Sequence, residues 1–196
     1  MKRTLLALLT LLSLIAVGTA QAAIIHFTVS LSGTNENPAN ASPGTGSATV
    51  DIDTDLKLMA LDVTFSGLLG LTTVSHIHCC APTPADNAPV ATQTPSFIGF
   101  PVGVTSGSYS NTFDMLLASS YRPGFITDHG GTPASAFAFL LTGMLAGEAY
   151  LNIHTQSFPG GEIRGTLIQV PEPASIALLG LALAGLGVIR RRAHRR

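Results

Sequence analysis

Between residues 25 and 65 the chain alternates apolar and polar side chains with a period of two, and that alternation leaves little choice of secondary structure. Ile25, Phe27, Val29 and Leu31 point one way, with His26, Thr28, Ser30 and Ser32 opposite. Ala48, Val50 and Ile52 repeat the pattern, as do Met59, Leu61, Val63 and Phe65. Successive side chains of a strand face opposite sides of a sheet, so each run predicts a half-buried strand; a helix needs a period of 3.6. Asp53-Thr54-Asp55 is turn-forming and makes the second and third runs a hairpin. Val74, His76 and His78 share one face of the next strand. Residues 97–104 and 109–117 read as two more, the first interrupted by Pro101. Residues 148–154 and 162–168 read as a closing hairpin about Phe158-Pro159-Gly160-Gly161. Stretches 35–46 and 81–95, rich in Pro, Asn and Gly, are loops. Residues 133–141 are expected as a short helix, because Pro suits a first helical turn. Several short strands with turn punctuation imply an all-β class: a single antiparallel β-sandwich or barrel-like domain.

The two ends of the 196-residue chain do not follow this pattern. Met1-Lys2-Arg3 is a short positive start. An apolar run from Leu5 to Val17 follows, and Ala20-Gln21-Ala22 has the small-x-small form of a cleavage site. Together these read as a signal peptide over residues 1–22, which makes the Sec translocon and a signal peptidase the expected partners. The far end opens with Val170-Pro171-Glu172-Pro173 and continues in an apolar run over 174–189. Arg190, Arg191, Arg192, Arg195 and Arg196 form a stop cluster behind it. Sixteen apolar residues fall short of the roughly 20 that cross a bilayer core, a gap that snorkelling arginines and local thinning close. The positive-inside rule keeps the arginines cytoplasmic. Residues 170–196 are therefore expected to be a sorting tail with an apolar anchor helix, and residues 23–169 the domain.

Charge and cysteine usage narrow the function. The whole chain carries −1. Residues 24–169 hold three basic residues (Lys57, Arg122, Arg164) against ten acidic ones, a net of −7. An acidic body excludes nucleic acid as the expected partner. The only cysteines, Cys79 and Cys80, are adjacent. They cannot staple distant segments, so the domain rests on its core. Open readings of the pair are a vicinal disulfide, inert thiols or metal ligation beside His78.

A few residues offer chemistry. His76-Ile77-His78 places two imidazoles on one strand face, the arrangement that shares a borderline metal such as Zn or Cu. His154, with Tyr150 and Asn152 on its face, joins them if the two strands are neighbours, with Asn152 or Glu162 as the expected ring-holding partners. Metal affinity is then expected to fall as pH drops through about 6.5. The alternative for these histidines is hydrogen bonding to loop backbone. Glu162 and Arg164 lie on one strand face, and Glu148 is in reach from the partner strand, which makes a structural ion pair the expectation. Glu148 and Glu162 as a glycan-active pair rank last. No Gly-rich phosphate loop and no nucleophile elbow is present, so no catalytic residue is assigned.

Four segments in order also carry a family resemblance: Leu31-Ser32-Gly33-Thr34-Asn35-Glu36-Asn37-Pro38, Ser75-His76-Ile77-His78, Tyr150-Leu151-Asn152-Ile153-His154-Thr155 and Phe158-Pro159-Gly160-Gly161-Glu162-Ile163-Arg164-Gly165. They resemble the CHRD domain, the repeat unit of chordin that is also found singly in bacterial proteins. The resemblance implies a β-rich extracellular domain with no assigned reaction. Cys79-Cys80 departs from it, since the family usually has a small residue such as Gly or a short loop there. The tail resembles the PEP-CTERM sorting signal of Gram-negative bacteria through Pro171, Glu172, Pro173, the apolar run and the arginine cluster. That resemblance implies an exosortase-type protease as partner and cleavage near Pro171–Pro173. It further implies a membrane-held envelope protein that is then released to the surface or the extracellular matrix. The leading expectation is a non-catalytic binding or scaffold module for a matrix polysaccharide or protein. The alternative is a metal-binding or redox protein using His76, His78 and His154.

Overall fold

The alternating runs of the N-terminal third pair edge to edge. Strands β1 (Ile24–Ser32), β2 (Thr45–Asp53) and β3 (Leu58–Ser66) form an antiparallel meander in the computed structural model, which describes residues 24–83 and 85–171. Its register aligns the buried residues into rows across the strands. One row is Phe27–Val50–Leu61, and another is Val29–Ala48–Val63 continuing to Tyr109 of β5 (Gly107–Asp114). Asp53 closes the β2–β3 hairpin by accepting from the N–H groups of Asp55 and Leu56 at 2.9 and 2.8 Å.

Strands β4 (Thr72–His78), β6 (Tyr150–Thr155) and β7 (Ile163–Thr166) continue the sheet on the other side of β1. The order is β4-β6-β7-β1-β2-β3-β5, and β8 (Ile168–Val170) follows β7 along the same edge of β1. The all-β fold is thus one curled antiparallel sheet, a half-barrel. Its concave side is filled by the apolar faces of the strands and closed by two helices, α1 (Pro123–Asp128) and α2 (Pro133–Leu145). Phe125 of α1 and Ala136, Phe137, Leu140 and Met144 of α2 are buried in that core. Each large apolar side chain so buried contributes about 1.5–3 kcal/mol, which is why a domain with one short-range disulfide holds together.

Pro133 starts α2 as expected, and Thr132 and Ser135 satisfy the first turn as a capping box. The helix runs four residues past the expected end, because Leu140 and Met144 continue the buried stripe. Segment 97–104 is a turn and not the strand its composition implied. Gly99 and Gly103 take φ of +75° and +74°, which no strand allows, and Pro101 lacks a donor. Phe97 and Phe100 turn into the core, with Phe100 stacked on Phe65 at 5.7 Å. Helix α1, too short to show a period, was not legible.

The signal peptide over 1–22 and the sorting tail from Glu172 onward, including Pro173 and the arginine cluster, lie outside the described residues. Among the described residues no helix is long and apolar enough to cross a membrane.

Candidate metal centre

Strands β1, β2, β3 and β5 bury one face; β4 from Ser75 onward, β6 and β7 bury both. Ile77 faces Leu151 and Ser75 faces Ile153 on the core side. On the other side His76 lies opposite Asn152, His78 opposite Tyr150, and Val74 opposite His154. Asn152 in turn pairs with Arg164 of β7. Loops around residues 33–42, 79–97 and 156–162 cover this side, so His76, His78, Asn152, His154 and Arg164 are all buried. The result is a polar layer with its own interior.

The imidazoles meet there. Their ring centroids are 5.4 to 5.8 Å apart. One ligating atom from each lies within 4.8 Å of the others. A common point is then at most about 2.8 Å from every atom, so less than about 1 Å of closure reaches metal–nitrogen bonds of about 2.0–2.1 Å.

Loop carbonyls set the tautomers. His76 Nε2 bonds the Pro95 carbonyl at 2.6 Å, His78 Nδ1 the Ala88 carbonyl at 2.9 Å and His154 Nδ1 the Pro159 carbonyl at 2.9 Å. A carbonyl oxygen only accepts, so each of these nitrogens carries the hydrogen. The lone pairs remain on His76 Nδ1, His78 Nε2 and His154 Nε2, which are buried and have no partner. The rings are therefore held by main-chain carbonyls, and not by Asn152 or Glu162 as the sequence implied. Burial lowers all three pKa values, His78 to about 4, against the opposing pull of each carbonyl; the Arg164 charge also lowers His78. Neutral imidazoles are the metal-binding form.

Arg164 locks the layer. Its Nε donates to the Asn35 carbonyl at 2.5 Å, one terminal nitrogen to Asn87 Oδ1 at 2.7 Å and the other to the Ala85 carbonyl at 3.0 Å. It thereby ties the first loop to the second, which carries the carbonyls behind His76 and His78. The carboxylate nearest Arg164 is Glu36, at 3.9 Å, and not Glu148 or Glu162. The physical reason is that four donors already surround the Glu162 carboxylate. Ser42 Oγ and the Leu69 N–H reach its Oε1 at 2.6 and 2.5 Å; Thr155 Oγ1 and the Gly70 N–H reach Oε2 at 2.7 and 3.0 Å. Burial raises its pKa, but these bonds outweigh it and leave the carboxyl below its usual range. Glu36, by contrast, is pushed up to about 7 by burial, against the Arg164 charge and a hydrogen bond from Asn152. Sequence reasoning passed over Glu36; the one available signal was a single acid within the small polar run 32–38. Glu148 is half-buried.

Cys79 and Cys80 are joined as a vicinal disulfide. Both sulfurs lie against Gly143 of α2, where a Cβ would collide with them. They are not part of the histidine group.

Two family models match the chain. One, the CHRD domain, covers residues 27–167. The other, the PEP-CTERM protein-sorting motif, covers residues 169–192. That motif is a signal of export and envelope association in Gram-negative bacteria, read by exosortase-type machinery. No curated protein and no solved structure matches the chain.

Proposed function

The chain belongs to the CHRD-domain family, and from that premise we propose that it is an exported envelope protein whose β domain binds one transition-metal ion, Zn or Cu, through His76, His78 and His154. The observation that carries this reading is the set of three buried, partnerless ring nitrogens on one side of β4 and β6, each with its tautomer fixed by a loop carbonyl. Burying three lone pairs together is unfavourable unless something electrophilic occupies the space between them. His76 ligates through Nδ1, His78 and His154 through Nε2. The domain acts as a binding module and not as an enzyme. Metal-free protein titrated with Zn or Cu takes up one equivalent saturably, and His78→Ala abolishes the uptake. Equal uptake by wild type and H78A overturns the assignment.

The scaffold part of the function rests on a different surface. The solvent face of the meander carries hydroxyl rows, Ser30–Ser47–Thr64–Ser108 being one, with Thr28 and Thr49 beside it. Thr28, Ser47, Thr49, Thr64 and Ser108 line a shallow concavity with Asp62. A surface of hydroxyls without basic residues fits a neutral matrix polysaccharide. Pull-down on the secreted matrix polysaccharide, with Thr49→Lys and Thr64→Lys as disrupting variants, tests it; retention by the variants overturns it.

A further inference from the structure

The sorting motif and the folded domain share residues. The motif covers 169–192, and strand β8 is Ile168–Val170, so Gln169 and Val170 belong to both. In the sheet they lie opposite Phe27 and His26 of β1, with Ile168 opposite Thr28. Among the described residues β8 pairs with β1 alone. Its three residues are exposed, whereas Leu167 just before them is fully buried and donates its N–H to the Ala149 carbonyl at 3.0 Å. An extended peptide is recognised chiefly through main-chain hydrogen bonds, and Pro171 and Pro173 have no N–H to give. An enzyme that cuts near them must draw its upstream bonds from residues 168–170, which β1 already holds. Reach adds to the conflict. With β8 paired, only residues 171–173 separate the sheet from the apolar run that starts at Ala174, about 10 Å at full extension. Freeing β8 doubles that to about 20 Å.

We propose that Ile168, Gln169 and Val170 are the upstream recognition residues of the processing site, and that the sheet withholds them: the exosortase-type protease cuts only chains in which β8 has left β1. This rests on the reading of the chain as an exported envelope protein, and not on the metal centre. Three residues with exposed side chains bury little by pairing, so β8 lies at the low-stability end of the fold, and buried Leu167 sets where the opening stops. Cutting of a transiently opened segment follows the population of the open form when opening and closing outpace the cut. The cut adds one water across one peptide bond. The new carboxylate stays on the domain and the new amine leaves with the tail. Strand β8 then pairs with β1 again, and the released domain keeps its whole sheet.

The test locks β8 shut. Thr28 and Ile168 stand directly opposite each other with exposed side chains. Opposed residues of an antiparallel pair have Cα atoms about 4.5–5.5 Å apart, inside the range a disulfide bridges. The full chain carrying T28C and I168C together is expressed in a Gram-negative host with exosortase-type machinery, and loss of the tail is followed by mass. The locked chain is expected to lose its tail at least about tenfold more slowly than wild type, its open form being removed. T28C alone and I168C alone are expected to match wild type. A second copy of Ile168-Gln169-Val170, inserted after Val170 of the locked chain, lies outside the sheet and is expected to restore processing. Wild-type processing of the locked chain overturns the proposal, and so does a locked chain that the inserted copy fails to rescue. A wild-type chain that keeps its tail is a different result, the failure of the sorting reading itself.

Discussion

Tyr150 lies flat against His78, ring centroids 4.8 Å apart and planes within 3°, and the Arg164 guanidinium sits over the same tyrosine ring at 4.7 Å. The three side chains form a stack that links a candidate metal ligand to the residue that ties two loops together. Tyr150 also accepts from the Ala88 N–H at 3.1 Å, and the Ala88 carbonyl is the one that fixes the His78 tautomer. One residue thus positions the ring by contact and holds the loop behind it. Tyr150→Phe keeps the stack and removes the hydroxyl. It is expected to weaken Cu or Zn affinity by about 10-fold, the scale of losing a ring-orienting partner, with the one-to-one stoichiometry unchanged by calorimetry.

The histidines set one pH limit. The His78 pKa is lowered from 6.5 to about 4, chiefly by burial. A depressed base favours the folded state above its unfolded value, and that stability is lost as pH falls. Metal-free protein is expected to lose about 2 kcal/mol from this group between pH 7 and pH 5, read from urea melts. His78→Gln flattens that part of the slope. Metal uptake should also persist below the ordinary histidine value of 6.5, because all three folded pKa values lie under it.

Glu36 sets the opposite limit. Its carboxyl is raised from 4.5 to about 7. That contribution to stability is present in full below pH 4.5 and is lost as pH rises through 7. Comparing E36Q with wild type isolates the effect. The stability difference should move in favour of the variant by about 1 kcal/mol between pH 6 and pH 8. A pH-independent difference sinks the assignment.

Glu162 is a structural clamp. Glu162→Gln replaces one carboxylate oxygen with an NH2 that faces two of the four donors, and a cost of about 3 kcal/mol is expected in denaturant melts. Metal stoichiometry should be unaffected in the folded fraction.

Gly143 offers a test by sign. Gly to Ala inside a helix normally stabilises by about 1 kcal/mol. Here the new Cβ meets both sulfurs of the Cys79–Cys80 pair, so Gly143→Ala is expected to lower the melting temperature.

Much of the frame was legible because its causes are local. Alternation at 27–31, 48–52 and 59–65 specifies strands and their buried faces, since a strand displays its own period whatever it pairs with. Pro133 and the apolar residues after it specify a helix for the same reason. The His76–His78 spacing was legible as a shared face, and so was the likeness of the two chain regions to known families. The sequence left open which strand lies beside β4, and only the sheet order puts β6 there and carries His154 to the other two. It paired Arg164 with Glu148 or Glu162, whereas folding brings up Glu36 and the Asn35 carbonyl, 129 residues away. It gave no sign that β4 and β6 are buried on both faces, because nothing local says that three loops close over their polar side. Those loops have no period. Their conformation is set by Arg164, Glu162 and the carbonyls they offer to histidines, contacts between residues far apart in the chain. The alternation is a property of neighbours in sequence; the convergence of three imidazoles is a property of neighbours in space.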